Sequence, residues 1–426
     1  MKIKIKNKTY EEVTAIPKAK RIKPMKQHMF FRALLRIVSS FDLWATHFKC
    51  RKIGMEKLGK KEPCLILMNH SSFIDLEIAS TVIFPRRYNI ITTSDAFVGL
   101  NWILRLIGCI PTKKFVFDSN LIRDMVYVVK ELKSSVVMYP EASYSFDGTA
   151  TPLPDNIGKC VKILGVPVVV IRTYGAYLRD PLYNGLRRRK VDVSADMKYL
   201  LSVEDVSVKS AGEIDSIIRN EFAFDNFKWQ QENKIAITEP FRAEGLNRVL
   251  YKCPHCLTEG KMIGEGTKIC CGHCGKQYEL TEYGFMKAES GETEYEHIPD
   301  WYQWERKCVK AEIEEGSYQL KVPVDICMMV DLKGVYRVGE GILEHSKDGF
   351  HLVGCEGKLD YTQKPLSSYS LYSDYYWYEV GDVICIGDSN ALYYCFPKQC
   401  GDIVAKTRLA TEEIYKMEKN KRKEKL

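Results

Sequence analysis

Four short apolar runs restrict this chain to one broad kind of fold. Leu65–Met68, Tyr88–Thr92, Val136–Tyr139 and Val166–Ile171 alternate with segments of helical period across residues 60–200. Such near-continuous runs suit strands buried on both faces, and strands separated by helices predict βαβ units in an α/β domain with a mostly parallel sheet. Just after the first run comes Asn69-His70-Ser71-Ser72-Phe73-Ile74-Asp75, followed by Leu76, Ile78 and Val82 at helix-like spacing. A residue in that junction lies past the carboxyl end of a strand, where open α/β sheets hold their sites.

His70 and Asp75 are the candidate catalytic residues. An imidazole acts as a general base near neutral pH, and a carboxylate on its other nitrogen fixes the tautomer and stabilises the imidazolium. This is a serine-hydrolase triad without its serine, so the nucleophile can be a hydroxyl on the substrate. Taken alone the pair also fits a His that ends a core strand and an Asp that caps a helix.

Three later blocks favour the catalytic reading. They are Gly108-Cys109-Ile110-Pro111-Thr112-Lys113-Lys114, Tyr139-Pro140-Glu141-Ala142-Ser143-Tyr144-Ser145 and Val166-Pro167-Val168-Val169-Val170. With Asn69-His70-x4-Asp75 they resemble, in order, the four motifs of the glycerolipid acyltransferases, the lysophosphatidic acid acyltransferase type. The resemblance covers about residues 20–240. Three positions depart from that pattern: Lys114 stands where most members have Arg, Ala142 where Gly is usual, and Tyr144 where Arg is common.

The resemblance implies transfer of a fatty acyl group from a thioester, on coenzyme A or acyl carrier protein, to the free hydroxyl of a lysophospholipid. The acceptor it puts first is 1-acyl-sn-glycerol 3-phosphate, giving phosphatidic acid. His70 would take the hydroxyl proton and Asp75 would orient His70. Lys114 and Glu141 would help hold the glycerol phosphate, with Ser143 nearby. Lys114 keeps a positive charge but lacks the bidentate fork of Arg, and with the changes at Ala142 and Tyr144 this leaves another lysolipid acceptor, such as an acylated amino acid, as the alternative.

A second signal lies outside that region. Cys253-Pro254-His255-Cys256 and Cys271-Gly272-His273-Cys274 are two Cys-x2-Cys knuckles fourteen residues apart, the spacing of a zinc ribbon. Four thiolates, from Cys253, Cys256, Cys271 and Cys274, close a tetrahedral shell, which predicts a structural metal. His255 and His273 sit inside the knuckles, and Cys270 is the one substitute for Cys271, with an offset from Cys274 that fits less well. Eleven more cysteines are scattered through apolar stretches without pattern, which fits a reducing cytosol better than a disulfide framework.

The net charge of +8 is unevenly placed. Lys18, Lys20, Arg21, Lys23 and Lys26 precede a helix-period stripe of Phe30, Leu34, Ile37, Phe41, Trp44 and Phe48, flanked by Arg32, Arg36, Lys49, Arg51 and Lys52. A basic amphipathic helix carrying Phe and Trp is the signature of an interfacial anchor, although a helix packed on its own core gives the same pattern. No signal peptide and no uninterrupted apolar run of spanning length is readable. These features predict a peripheral protein on the cytoplasmic face of the cell membrane, with an anionic bilayer, a lysophospholipid and, if it is the donor, acyl carrier protein as partners. Glu259, Glu265 and Glu279 beside the ribbon's lysines argue against nucleic acid.

Beyond Gly316 the pattern turns to short alternating strands: Val324–Val330, Gly341–His345, Phe350–Cys355, Tyr375–Val380, Val383–Ile386 and Leu392–Phe396. A final helix from Asp402 ends in the basic tail Lys419–Lys425. This predicts a small β-barrel with a C-terminal helix, similar in pattern to a pleckstrin-homology module. The expected division is an acyltransferase domain with its N-terminal membrane helix over 1–245, a zinc ribbon over 246–298 and a β-rich domain over 299–426. A different class of reading is a non-enzymatic, membrane-associated zinc-ribbon binding protein; the intact His70 and Asp75 argue against it.

Overall fold

The computed structural model describes residues 3–17, 21–398 and 403–424. Lys18, Lys20, Asp402 and Lys425, which belong to the expected basic segment and terminal helix, lie outside the described residues. Strands are numbered in chain order, beginning with β1 (Ile5–Asn7).

Residues 49–201 build a seven-stranded sheet from β2 (Lys49–Ile53), β3 (Leu65–Met68), β4 (Tyr88–Thr93), β5 (Cys109–Thr112), β6 (Ser135–Met138), β7 (Val168–Tyr174) and β8 (Ser194–Leu201). Its order is β2-β8-β7-β3-β6-β4-β5. All pairings are parallel except β7 with β8, so the expected mostly parallel sheet carries one antiparallel step. β3 sits centrally between β7 and β6, and every one of its residues is buried, as its unbroken apolar run requires. One face packs on the helix Ile74–Ile83, the other on the helices Ser119–Lys130, Ile157–Leu164 and Ala211–Phe222.

The ribbon is a four-stranded antiparallel sheet of β9 (Met262–Glu265), β10 (Lys268–Cys271), β11 (Gln277–Leu280) and β12 (Met286–Ala288), in the order β12-β11-β10-β9. The helix Ile298–Glu315 follows, with Trp301 fully buried and edge-on to Tyr278 of β11.

The third sheet contains β13 (Leu320–Met329), β14 (Val335–Ser346), β15 (Gly349–Gly354), β16 (Leu359–Gln363), β17 (Tyr372–Trp377), β18 (Gly381–Gly387) and β19 (Leu392–Pro397). Its order is β16-β15-β14-β13-β19-β18-β17. The expected barrel does not close: among the described residues β16 and β17 end an open path. The segment expected to be the strand Tyr375–Val380 is instead the end of β17 and a turn, because the register slips between Asp374 and Trp377 and Tyr376, Tyr378 and Glu379 adopt left-handed backbone. β1 adds to this sheet in parallel, Ile5 opposite Val335.

The terminal helix Ile403–Glu424 buries Val404, Leu409 and Ile414. One buried cluster runs from Phe146 and Tyr183 through Tyr251, Ile269 and Trp301 to Ile326, Tyr375 and Leu409. The α/β segment, the ribbon and the third sheet therefore share a core.

Candidate active site

The carboxyl ends of β3 and β6 meet here. Where β3 stops, Asn69 bridges to β7: its side-chain oxygen accepts from Thr173 N at 2.8 Å and its amide nitrogen donates to Thr173 Oγ1 at 2.9 Å. This anchors the turn that carries His70. Asp75 lies in the first turn of the following helix and is fully buried. Its Oδ2 accepts from Ser71 N at 2.6 Å and Ser72 N at 3.0 Å, folding the loop back over the helix start, and lies 3.2 Å from His70 Nδ1. With the shared proton on Nδ1, the lone pair is on Nε2.

Two rings fix the imidazole plane. Tyr139 stacks on it with centroids 4.4 Å apart, and Tyr144 lies on it at 4.3 Å. Burial, assisted by the Lys114 charge, pushes the His70 pKa down and keeps the imidazole neutral. Burial raises Asp75 to about 7 against the two backbone donors that favour its charged form.

Glu141 and Ser143 do not face the cavity. The Glu141 carboxylate accepts from His70 N at 2.7 Å and Thr151 N at 2.8 Å, so both oxygens clamp backbone. Ser143 Oγ accepts from Arg408 at 3.0 Å. Of the three residues expected to hold the acceptor, the structure brings only Lys114 to the cavity wall. Ala142 has φ of 57°, the left-handed region where the family's Gly has no Cβ penalty.

The cavity has a volume of about 1080 Å³. Its floor is apolar, with Leu76, Ile90, Leu104, Ile107 and Met125, and His70, Lys114, Tyr139 and Tyr144 stand in its wall. Another part of the wall comes from the third sheet, through Tyr372, Asp374, Trp377 and their neighbours. That sheet is locked on: Asp95 Oδ2 accepts from Tyr372 Oη at 2.5 Å and Trp377 Nε1 at 3.1 Å, and Lys114 Nζ lies 4.3 Å from the Tyr372 ring centre. Local pattern gave no signal for Asp95, Asp374 or Arg408, since each meets the site from hundreds of residues away or through the other sheet.

Near the mouth, the helix Met29–Ala45 leaves its stripe in solvent: Phe30, Leu34, Ile37, Phe41 and Trp44 are all exposed, Trp44 by 83%. Its opposite side packs through Ser39, whose hydroxyl is 2.9 Å from that of Ser80. Phe48 is only half-buried, and Arg32, expected on the basic flank, is buried and donates to the Gln27 carbonyl at 3.1 Å. No helix among the described residues is long and apolar enough to cross a membrane.

The sulfur atoms of Cys253, Cys256, Cys271 and Cys274 lie within 4.8 Å of one another, with Cys253–Cys274 at 3.8 Å and Cys256–Cys271 at 3.7 Å. A tetrahedron of thiolates about 2.3 Å from zinc has edges of about 3.8 Å, so these residues fit that ion. Cys270 is outside the cluster, and His255 turns to Glu294 at 3.2 Å.

Residues 49–173 match the family model described as Acyltransferase. Among solved structures the chain is similar to the 1-acyl-sn-glycerophosphate (LPA) acyltransferase of Thermotoga maritima, at 15% identity and a TM-score of 0.36, over 45% of this chain and 76% of that one. No curated protein matches the sequence. The match spans all four motif blocks, with His70, Asp75, Lys114 and Glu141 inside it. Residues 49–173 are thus an acyltransferase domain by the family model, and they hold the motif blocks that resemble the glycerolipid acyltransferases.

Proposed function

We propose that this protein transfers an acyl group from acyl-CoA or acyl carrier protein to the free hydroxyl of a lysolipid. The observation that carries this reading is the His70–Asp75 contact at 3.2 Å in the wall of a largely apolar cavity. His70 Nε2 removes the acceptor proton as the oxygen attacks the thioester carbonyl. Collapse of the tetrahedral intermediate breaks the C–S bond, and the imidazolium returns its proton to the departing thiolate. Asp75 holds the Nδ1 proton and stabilises the imidazolium. No covalent acyl-enzyme is needed.

The acceptor put first by the family resemblance is 1-acyl-sn-glycerol 3-phosphate, held at Lys114. A second reading, another lysolipid such as an acylated amino acid, is favoured by Tyr144 in place of a second cation and by Asp374 in the same cavity wall. The exposed stripe from Phe30 to Trp44 supports peripheral attachment to the cytoplasmic face of an anionic membrane. Zinc on the four cysteines would be structural, holding the two knuckles together. The division at 245 and 298 is retained as one of function: chemistry, ribbon, and a sheet that completes the cavity.

The test is full-length protein offered lysolipids with acyl-CoA and acyl-carrier donors, with products read by mass spectrometry. An acylated lysolipid supports the proposal; no product with any pair refutes it.

A further inference from the structure

The acceptor end of the cavity carries charges of both signs. Tyr372 and Asp374 are two residues apart on β17 and therefore share a face, which the Asp95 contact turns toward the acyltransferase residues. Lys114 rests on the Tyr372 ring, and Asp374 and His70 stand with it in the wall of the same cavity. Asp374 lines the cavity and forms no ion pair among the described residues; its carboxylate is met by the Tyr375 backbone N–H. Around it stand aromatic side chains, Tyr144, Tyr376, Trp377 and Tyr378.

A phosphomonoester dianion is poorly served here. Sites for that group gather Arg and Lys donors, whereas this wall has no Arg, its Lys113 ammonium donates to the carbonyls of Asp388 and Ser389, and Lys114 shares the space with a carboxylate. A carboxylate among Tyr and Trp faces is instead what recognises an ammonium group, by ion pairing and by attraction to the rings. We propose that Asp374 selects the acceptor by binding the ammonium of a zwitterionic lysolipid headgroup, whose anionic part lies against Lys114. This rests on the acyl-transfer reading above and gives the third sheet a direct part in choosing the substrate.

The ammonium could come from an ethanolamine phosphodiester or from an amino-acid headgroup, so both belong in the test. Full-length His70→Ala protein is titrated with 1-acylglycerophosphoethanolamine, an N-acylated basic amino acid and 1-acylglycerol 3-phosphate, and wild-type turnover of the same lipids is measured with acyl-CoA. At least one ammonium lipid should bind about tenfold or more tighter than the phosphomonoester, the value of a charge-assisted hydrogen bond, and the tighter one names the source. Asp374→Asn should reverse that preference, with the turnover change carried by KM. Tyr144→Arg, which restores the cation common in the family, should also tighten phosphomonoester binding. The inference is overturned if the phosphomonoester binds best where Asp374 is intact, or if Asp374→Asn leaves the ratio unchanged. Absence of turnover with every lipid would instead defeat the acyl-transfer reading, while the binding ratio still decides Asp374.

Discussion

The Arg408 guanidinium donates to the Ser143 hydroxyl at 3.0 Å, joining the terminal helix to the loop that holds His70. Two residues earlier in that loop, Glu141 accepts the His70 backbone N–H. Arg408 also contacts Glu412 at 3.4 Å and covers the Phe146 ring at 4.2 Å. The far end of the chain thus braces the loop beneath the general base.

Arg408→Ala should lower unfolding free energy by about 1.5–3 kcal/mol, the loss of hydrogen bonds to a charged group. Glu412 keeps Arg306 at 2.7 Å, so no carboxylate is left unpaired. Denaturant unfolding measures the first effect. A fall in kcat/KM at a temperature where the variant remains folded would show the brace reaching His70.

Ala142→Gly should stabilise the protein by about 1 kcal/mol, because Ala142 sits at φ of 57° where a Cβ is opposed. Chemical denaturation of the single variant reads this; a destabilised variant would mean that the methyl's contacts in the cavity wall outweigh the strain.

Much of the fold was legible because its signals are local. The apolar run Leu65–Met68 became the central strand, the first three motif blocks converged on the sheet's carboxyl edge while the fourth opens β7, and the two knuckles brought four sulfurs together. What stayed hidden depends on chain-distant packing. Glu141 and Ser143 lie in a motif, yet their orientation is decided by the backbone N–H of Thr151 and by Arg408. β16, Leu359–Gln363, has little alternation to mark it and is a strand because β15 offers an edge. The Tyr-rich stretch read as strand, but the bulge after Asp374 turns it into cavity wall.

Phe41→Ser with Trp44→Ser should reduce flotation with anionic vesicles more than Arg36, Lys49 and Lys52 neutralisation does. The two rings are 74% and 83% exposed, and apolar burial outlasts the screening that weakens surface charge in salt. Arg32→Gln should lower stability instead, since that side chain is buried. Unchanged flotation in all variants would remove the anchor.

One zinc per chain is expected in purified protein. Cys271→Ser should lose it and lower Tm, while Cys270→Ser should retain it, because only Cys271 belongs to the sulfur cluster. Structural zinc supplies roughly 10–16 kcal/mol of apparent binding free energy, so chelation should unfold the ribbon. Metal analysis of the two variants checks the assignment; zinc retained without Cys271 would contradict it.

The central claim is that His70, oriented by Asp75, is the base for acyl transfer. The direct measurement is turnover of the best lysolipid by wild-type, His70→Ala and Asp75→Asn proteins, with circular dichroism to establish that each is folded. The account predicts a loss of about 10²–10⁴-fold for His70→Ala, the usual contribution of a general base, and a large loss for Asp75→Asn. Near wild-type turnover in a folded His70→Ala protein would contradict it.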